Sequence, residues 1–331
     1  MGRPDTVMQG YLSDKERFAD LFNGIFFQGE QFIRSCDLQD SSERYSGTGE
    51  PSASRFRDIK MTLKGSRTLR ILAVENQANI DYTMPYRCMQ YDTMEYGRQL
   101  KERKNVNRAG KLPVTSPEWL CGIKKTDRIT PVYTLCLYHG EAPWDGPLSL
   151  RDMMDFGDDS DGMGRYFADY PLRLFCVNEA ESFEMFRTEL RELFFALKHR
   201  KDRKKLQELF ANDERCSRMS PDTVEALSIF LNMPDLWDKR EQYRNRMCEK
   251  EEYNMNQAWG GVAQEYYSEG IAQGIAQGIA QGIAQGIAQG IEKGSREKTR
   301  MIVQNMLKRG FSDKEICELT GCTADFISEL R

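Results

Sequence analysis

Histidine is almost missing from this chain: of 331 residues only two are His, at 139 and 199. Neither has a cysteine or aspartate at a telling spacing. A serine or cysteine hydrolase built on a histidine base is therefore disfavoured, and so is a histidine-ligated metal nuclease. The nine cysteines form no C-x-x-C pair, and the closest two, Cys317 and Cys322, have no histidine near them. That argues against zinc and for reduced thiols. No apolar run is long enough to span a membrane, and the segment MGRPDTVMQGY has no apolar core of a secretory signal. A cytoplasmic protein without a membrane partner is expected. Positive charge is also short. The net charge of −4 does not advertise nucleic-acid binding. What the chain has in ordinary supply is core material, 40% hydrophobic residues, so it is not a disordered chain.

Against that background two acidic stations stand out. RFRDIKMTL (55–63) carries Asp58, and TLRILAVENQ (68–77) ends in Glu75-Asn76-Gln77. The second run is apolar at Leu69, Ile71, Leu72 and Val74 and then turns abruptly polar. A buried strand that finishes in a carboxylate and two amides makes sense where its end lines a site. Side chains alternate along a strand, so Glu75 and Gln77 share one face, as do Asp58 and Lys60 on the neighbouring strand. The pattern D-x16-E-x-Q brings two carboxylates and an amide together. Oxygen ligands of this kind suit Mg2+, which takes one or two carboxylates and keeps several waters.

At these residues the chain resembles the PD-(D/E)XK nuclease superfamily, and within it the recombination-promoting nuclease (Rpn) family of transposase-like proteins. The superfamily places an acid on one strand and (D/E)-x-K on the next; here the second part reads E-x-Q, with Gln77 at the lysine position. ENQANIDYTMPYRCMQYDTMEYGRQL (75–100) looks like the family's strand, turn and helix. RITPVYTLCLYHGEAPWDGPLSLRDMM (128–154) looks like its next strand and Trp-Asp-Gly-Pro loop. The resemblance implies an α/β fold with a restriction-endonuclease-like mixed sheet flanked by helices. It implies an endonuclease that hydrolyses DNA phosphodiesters with metal-activated water, in recombination or mobile elements. Asp58 and Glu75 would hold Mg2+ (or Mn2+), Gln77 would orient water or phosphate, and Lys60 would stabilise charge. Arg87 and Tyr91, on the helix beside the site, would contact phosphate. The superfamily often adds an acid on its first helix, and Asp20 and Glu16 are the candidates; a solvated helix face is the other reading. A rival function is a non-catalytic interaction protein that keeps the fold.

The rest divides by pattern. Residues 1–180 read as the nuclease-like core, 181–268 as a helical extension, 269–295 as a repeat spacer and 296–331 as a helix-turn-helix-like unit. Ser13 and Glu16 predict a capping box opening the first helix. Residues 64–67 (Lys-Gly-Ser-Arg) predict a hairpin connection, and 105–122 a loop. Trp144 is read as a packing anchor. From Glu181 the pattern is helical, with an apolar stripe through Phe183, Phe186, Leu190, Leu193, Phe194 and Leu197. KHRKDRKK (198–205) is the best basic patch, with DNA backbone or solvent as its two readings. The unit GIAQ then repeats five times from Gly270 to Gln289. Two readings stay open for it: a partly helical spacer that pairs with a second copy, giving a homo-oligomer, and a flexible linker. In the tail, Ser312 and Glu315 predict another capping box. The last helix offers Arg331 as its only base-reading cation, so a protein-interaction or regulatory role is favoured over sequence readout.

Overall fold

The computed structural model describes residues 3–330 except 42–44, 47–53, 56–57, 65–68, 111–114, 158–161 and 247. Residues 65–67 of the predicted hairpin turn and Arg331 fall outside the described residues. The chain forms two compact units, Met1–Val262 and Ala263–Arg331.

The centre of the first unit is a five-stranded mixed sheet. Its order is β1 (Leu38–Asp40), β4 (Ile59–Lys64), β5 (Leu69–Gln77), β6 (Val132–Tyr138) and β7 (Leu174–Cys176). β2 (Tyr45–Ser46) and β3 (Ser54–Arg55) pair apart from it. β1, β4 and β5 run antiparallel to their neighbours, while β5, β6 and β7 run parallel. Connection length explains the switch. Few residues separate β4 from β5, which permits a hairpin. The α3 helix (Met84–Ala109) intervenes between β5 and β6, as a parallel crossover requires. β5 is therefore central and covered on both faces, and its apolar run Ile71–Val74 is buried throughout.

The two faces of the sheet differ in character. One carries Met61, Leu63, Leu72, Leu135 and Leu137, all buried, with helices α1 (Arg3–Leu12), α2 (Lys15–Phe27) and α5 (Leu190–Lys198) on that side. Phe175 of β7 meets Phe186 and Phe194 there, with ring centroids 6.0 Å apart in each case. The other face, under α3, is polar. Lys60 Nζ lies 3.3 Å from Glu95 Oε2, Thr134 Oγ1 donates to Asp92 Oδ1 at 2.7 Å, and Tyr170 OH donates to Asp92 Oδ2 at 2.6 Å. α3 buries Met84, Cys88, Tyr91, Asp92 and Glu95, one stripe at three- and four-residue spacing. Trp144 packs edge-on against Tyr138 with centroids 5.2 Å apart and donates Nε1–H to Gly146 O, the packing role expected of it.

Several local expectations change. α1 precedes the helix that the sequence pattern predicted. α2 is capped by Asp14, whose side chain accepts from Glu16 N and Arg17 N, and not by a Ser13–Glu16 box. The predicted 105–122 loop contains the end of α3 and a short helix, α4 (Ser116–Cys121), with a Thr115–Glu118 capping box. Phe183 and Phe186 lie in turns ahead of α5 rather than on a helix, though both are buried. α6 (Arg203–Asn212), α7 (Pro221–Phe230) and α8 (Asp235–Asp238) complete the first unit. α7 is tied to α1 and α2 by Tyr11–Thr223 and Arg17–Asp222. Part of the 198–205 patch serves this packing: Arg200 donates to His139 O and Gly140 O, Lys198 to Ala180 O, and Lys201 pairs with Glu141.

The boundary between units falls within α9 (Met255–Lys308), a helix that contains the whole Gly-Ile-Ala-Gln repeat. Its isoleucines at 271, 275, 279, 283, 287 and 291 are all exposed. In the second unit, α9 residue Val303 packs with Ile316 of α10 (Asp313–Thr320) and Ile327 of α11 (Ala324–Ser328). The Ser312–Glu315 box caps α10, and Gly321, at φ +70°, ends it in the left-handed conformation that favours glycine.

Candidate active site at the ends of the central strands

The carboxyl ends of β5 and β6 share one edge of the sheet, and parallel sheets commonly bind ligands at that edge. Asp58 comes one residue before β4. The β4–β5 register sets Ile59 opposite Val74, so one step further brings Asp58 level with Glu75. Both acids are buried, Asp58 at 6% exposure and Glu75 at 0%. Asp58 Oδ2 accepts the Asn76 N–H at 2.7 Å, which ties its carboxyl to the end of β5.

α3 supplies the facing groups. Arg87 Nη2 lies 3.7 Å from Glu75 Oε2, while Arg87 Nη1 holds Asp81 Oδ2 at 2.5 Å. Those two carboxylates outweigh burial and raise the guanidinium's pKa. Tyr91, one helical turn on, is buried. Burial first, and then the Glu75 charge, push its phenol up. Burial likewise pushes Asp58 up to about 6, although the Asn76 N–H and Arg87 pull it down. Asp58, Glu75, Arg87 and Tyr91 are thus linked by charge. Gln77 ends β5, half-buried and opposite Tyr138 in register.

Lys60 keeps the predicted face but meets Glu95, which also receives Arg98 Nη2 at 2.6 Å. The two N-terminal acids proposed as additional ligands lie elsewhere. Asp20 accepts from Arg187 N, Thr188 N and Thr188 Oγ1, joining α2 to the turn before α5. Glu16 is exposed. The acid from the N-terminal helices that does reach the site is Asp5 of α1. Its Oδ1 accepts the Ala78 N–H at 3.1 Å and lies 3.8 Å from His139 Nε2, and its carbonyl accepts Asn76 Nδ2 at 2.9 Å. Its charge raises Asp58 further, and Gln9 on the same helix donates to Asp58 O at 2.6 Å. The signal for it was Pro4 followed by an acid, a common helix opening.

Among the described residues, no group of three or more His, Cys, Asp or Glu side chains is arranged to hold a metal ion. The pair Asp58 and Glu75 still matches the donor chemistry of Mg2+, which needs only one or two carboxylates. Two carboxyls withdrawn from water, one pushed toward protonation, make a place where a cation would be favoured. No model of a known protein family, no curated protein and no solved structure matches this chain.

Proposed function

We propose that the chain is a Mg2+-dependent endonuclease that hydrolyses DNA phosphodiesters on a restriction-endonuclease-like core. The observation that carries this reading is the buried pair Asp58 and Glu75 on adjacent strand ends, facing Arg87. The order helix, three antiparallel strands, helix, parallel strand supports the core assignment. Asp58 and Glu75 would hold the ion, with Asp5 the nearest further acid. An ion held by these carboxylates would supply an acidified water and would offset phosphoryl charge. Arg87 would turn from Glu75 to a phosphate oxygen, a charge-assisted contact that its guanidinium geometry suits. Tyr91, kept protonated by burial, would donate a hydrogen bond beside it. Lys60, held by Glu95, supports α3 over the strands. A recombination or mobile-element setting rests on the family resemblance.

The rival reading, a non-catalytic interaction protein, is favoured by the same Arg87–Glu75 contact, since the acid there faces a cation of its own chain. A plasmid-nicking assay with Mg2+ or Mn2+ decides. The wild-type chain is expected to nick and Glu75→Gln to lose at least a hundredfold, with an unchanged circular dichroism spectrum. Equal activity in both would sink the assignment.

A further inference from the structure

The second half of α3 and the chain after it are charged unlike the rest of the protein. From Lys101 to Arg128 the sequence has eight Lys or Arg against three Asp or Glu, in a chain of net charge −4. The segment is folded back and braced. Asn107 Nδ2 donates to Gly122 O at 3.1 Å and to Asp127 Oδ2 at 2.7 Å. The Lys104 stem lies against Gly122, where a Cβ would come 3.2 Å from Lys104 Cγ. Arg98, Arg103 and Arg128 line a single cleft of about 320 Å³ with Gln99 and Thr130. Gln99 is itself locked by two hydrogen bonds to the Thr130 backbone.

α4, whose C-terminal Gly122 is held by Asn107 of α3, displays Trp119 at 77% exposure and Leu120 at 82%. α4 is no loose loop. Glu118 accepts the Thr115 N–H and hydroxyl and the Lys125 N–H, so both ends of the turn are pinned. An exposed indole on a braced turn, in the same folded segment as Arg103 and Arg128, has the parts that hold unpaired nucleotides: cations for the backbone and a flat ring for a base. A duplex would hide the base faces that Trp119 needs.

We propose that this surface binds single-stranded nucleic acid, with Arg103 and Arg128 on phosphates and Trp119 stacked on an unpaired base. The inference deepens the nuclease reading by making part of the substrate single-stranded, and its test reads binding rather than cleavage. Arg87 and Arg103 belong to one helix, about 24 Å apart at ~1.5 Å per residue.

The full chain carrying Glu75→Gln, to prevent cleavage, is titrated with fluorescein-labelled oligothymidine of about 12 nucleotides and with a duplex of the same length. Anisotropy is read across a salt series. The single strand should bind at least tenfold tighter than the duplex. Trp119→Ala should weaken single-strand binding about tenfold, and Trp119→Phe should restore most of it. Arg103→Ala with Arg128→Ala should lower the slope of log K against log salt by about 1.4, ~0.7 for each phosphate contact. Equal affinity for both forms, or a Trp119→Ala chain that binds unchanged, overturns the proposal. So does binding to anionic phospholipid vesicles without binding to the oligonucleotide. Binding as expected with no cleavage by the wild type would remove the nuclease reading and leave this one. Cleavage with Trp119 neutral would do the reverse.

Discussion

Replacing Asp58 with asparagine should stabilise the protein above pH 6 while removing an acid that the proposed chemistry needs. Asp58 is 6% exposed, and burial lifts its carboxyl from 3.8 to about 6. In the unfolded chain it returns to the lower value. Because the folded-state pKa is raised, the folded form takes up a proton that the unfolded form leaves in solution. The ionised carboxylate therefore works against the fold at pH 8, and that penalty fades as pH falls from about 6 to 3.8. At ~1.36 kcal/mol for each factor of ten, the gap amounts to about 3 kcal/mol. Asparagine carries no such penalty, and its amide oxygen can still accept the Asn76 N–H. Urea unfolding followed by tryptophan fluorescence is a suitable assay, because all four tryptophans lie within Met1–Val262. In chelator at pH 8, Asp58→Asn should exceed the wild type by about 2–3 kcal/mol, and the two should coincide near pH 4. Added Mg2+ should stabilise the wild type, by about 2.7 kcal/mol at a hundredfold excess over its Kd, and leave the variant unchanged. A variant less stable at pH 8, or a difference that does not change with pH, would refute the reasoning.

Three other outcomes can be checked. His139 is buried against Phe230, and burial lowers its pKa to about 4, so the unfolded chain protonates first and the contribution of this residue to stability should fall from pH 6.5 toward 4, against the opposite trend of Asp58. His139→Gln should remove that fall in the same urea series. Glu95→Gln takes the carboxylate from a buried pair with Lys60 that also holds Arg98, and should cost about 3–5 kcal/mol in the urea midpoint. A chain ending after Val262 should nick plasmid at least as well as the whole chain and sediment as a smaller species; loss of nicking with a folded core would show that the tail delivers substrate.

Much of the sheet was legible because its causes are local. The apolar run ahead of Glu75 is long and β-prone, and β5 forms where that run lies. PVYTLCLYH forms β6, and the Ser312–Glu315 box caps α10, because such a box closes within four residues. The period-2 rule put Lys60 on the Asp58 face, but the rule says nothing about what covers that face. Asp14 took the cap expected of Ser13, since both residues can accept from the same first-turn amides. The Trp119 turn was missed because a six-residue helix with a proline in its first turn has too little period to register.

Taken alone, then, the sequence determined the strands β4, β5 and β6, the α3 helix, the two carboxylates at the strand ends and the cap of α10, because hydrophobic period and side-chain caps act over a few residues. Tertiary structure decided which charges meet. Asp20 was as good a candidate as Asp5 by sequence, yet its partners are Arg187 and Thr188, while those of Asp5 are Asn76, Ala78 and His139. Lys60 found Glu95 across the α3 crossover, and Glu75 found Arg87. Burial and electrostatics depend on groups far apart in the chain, so no window of sequence contains the answer.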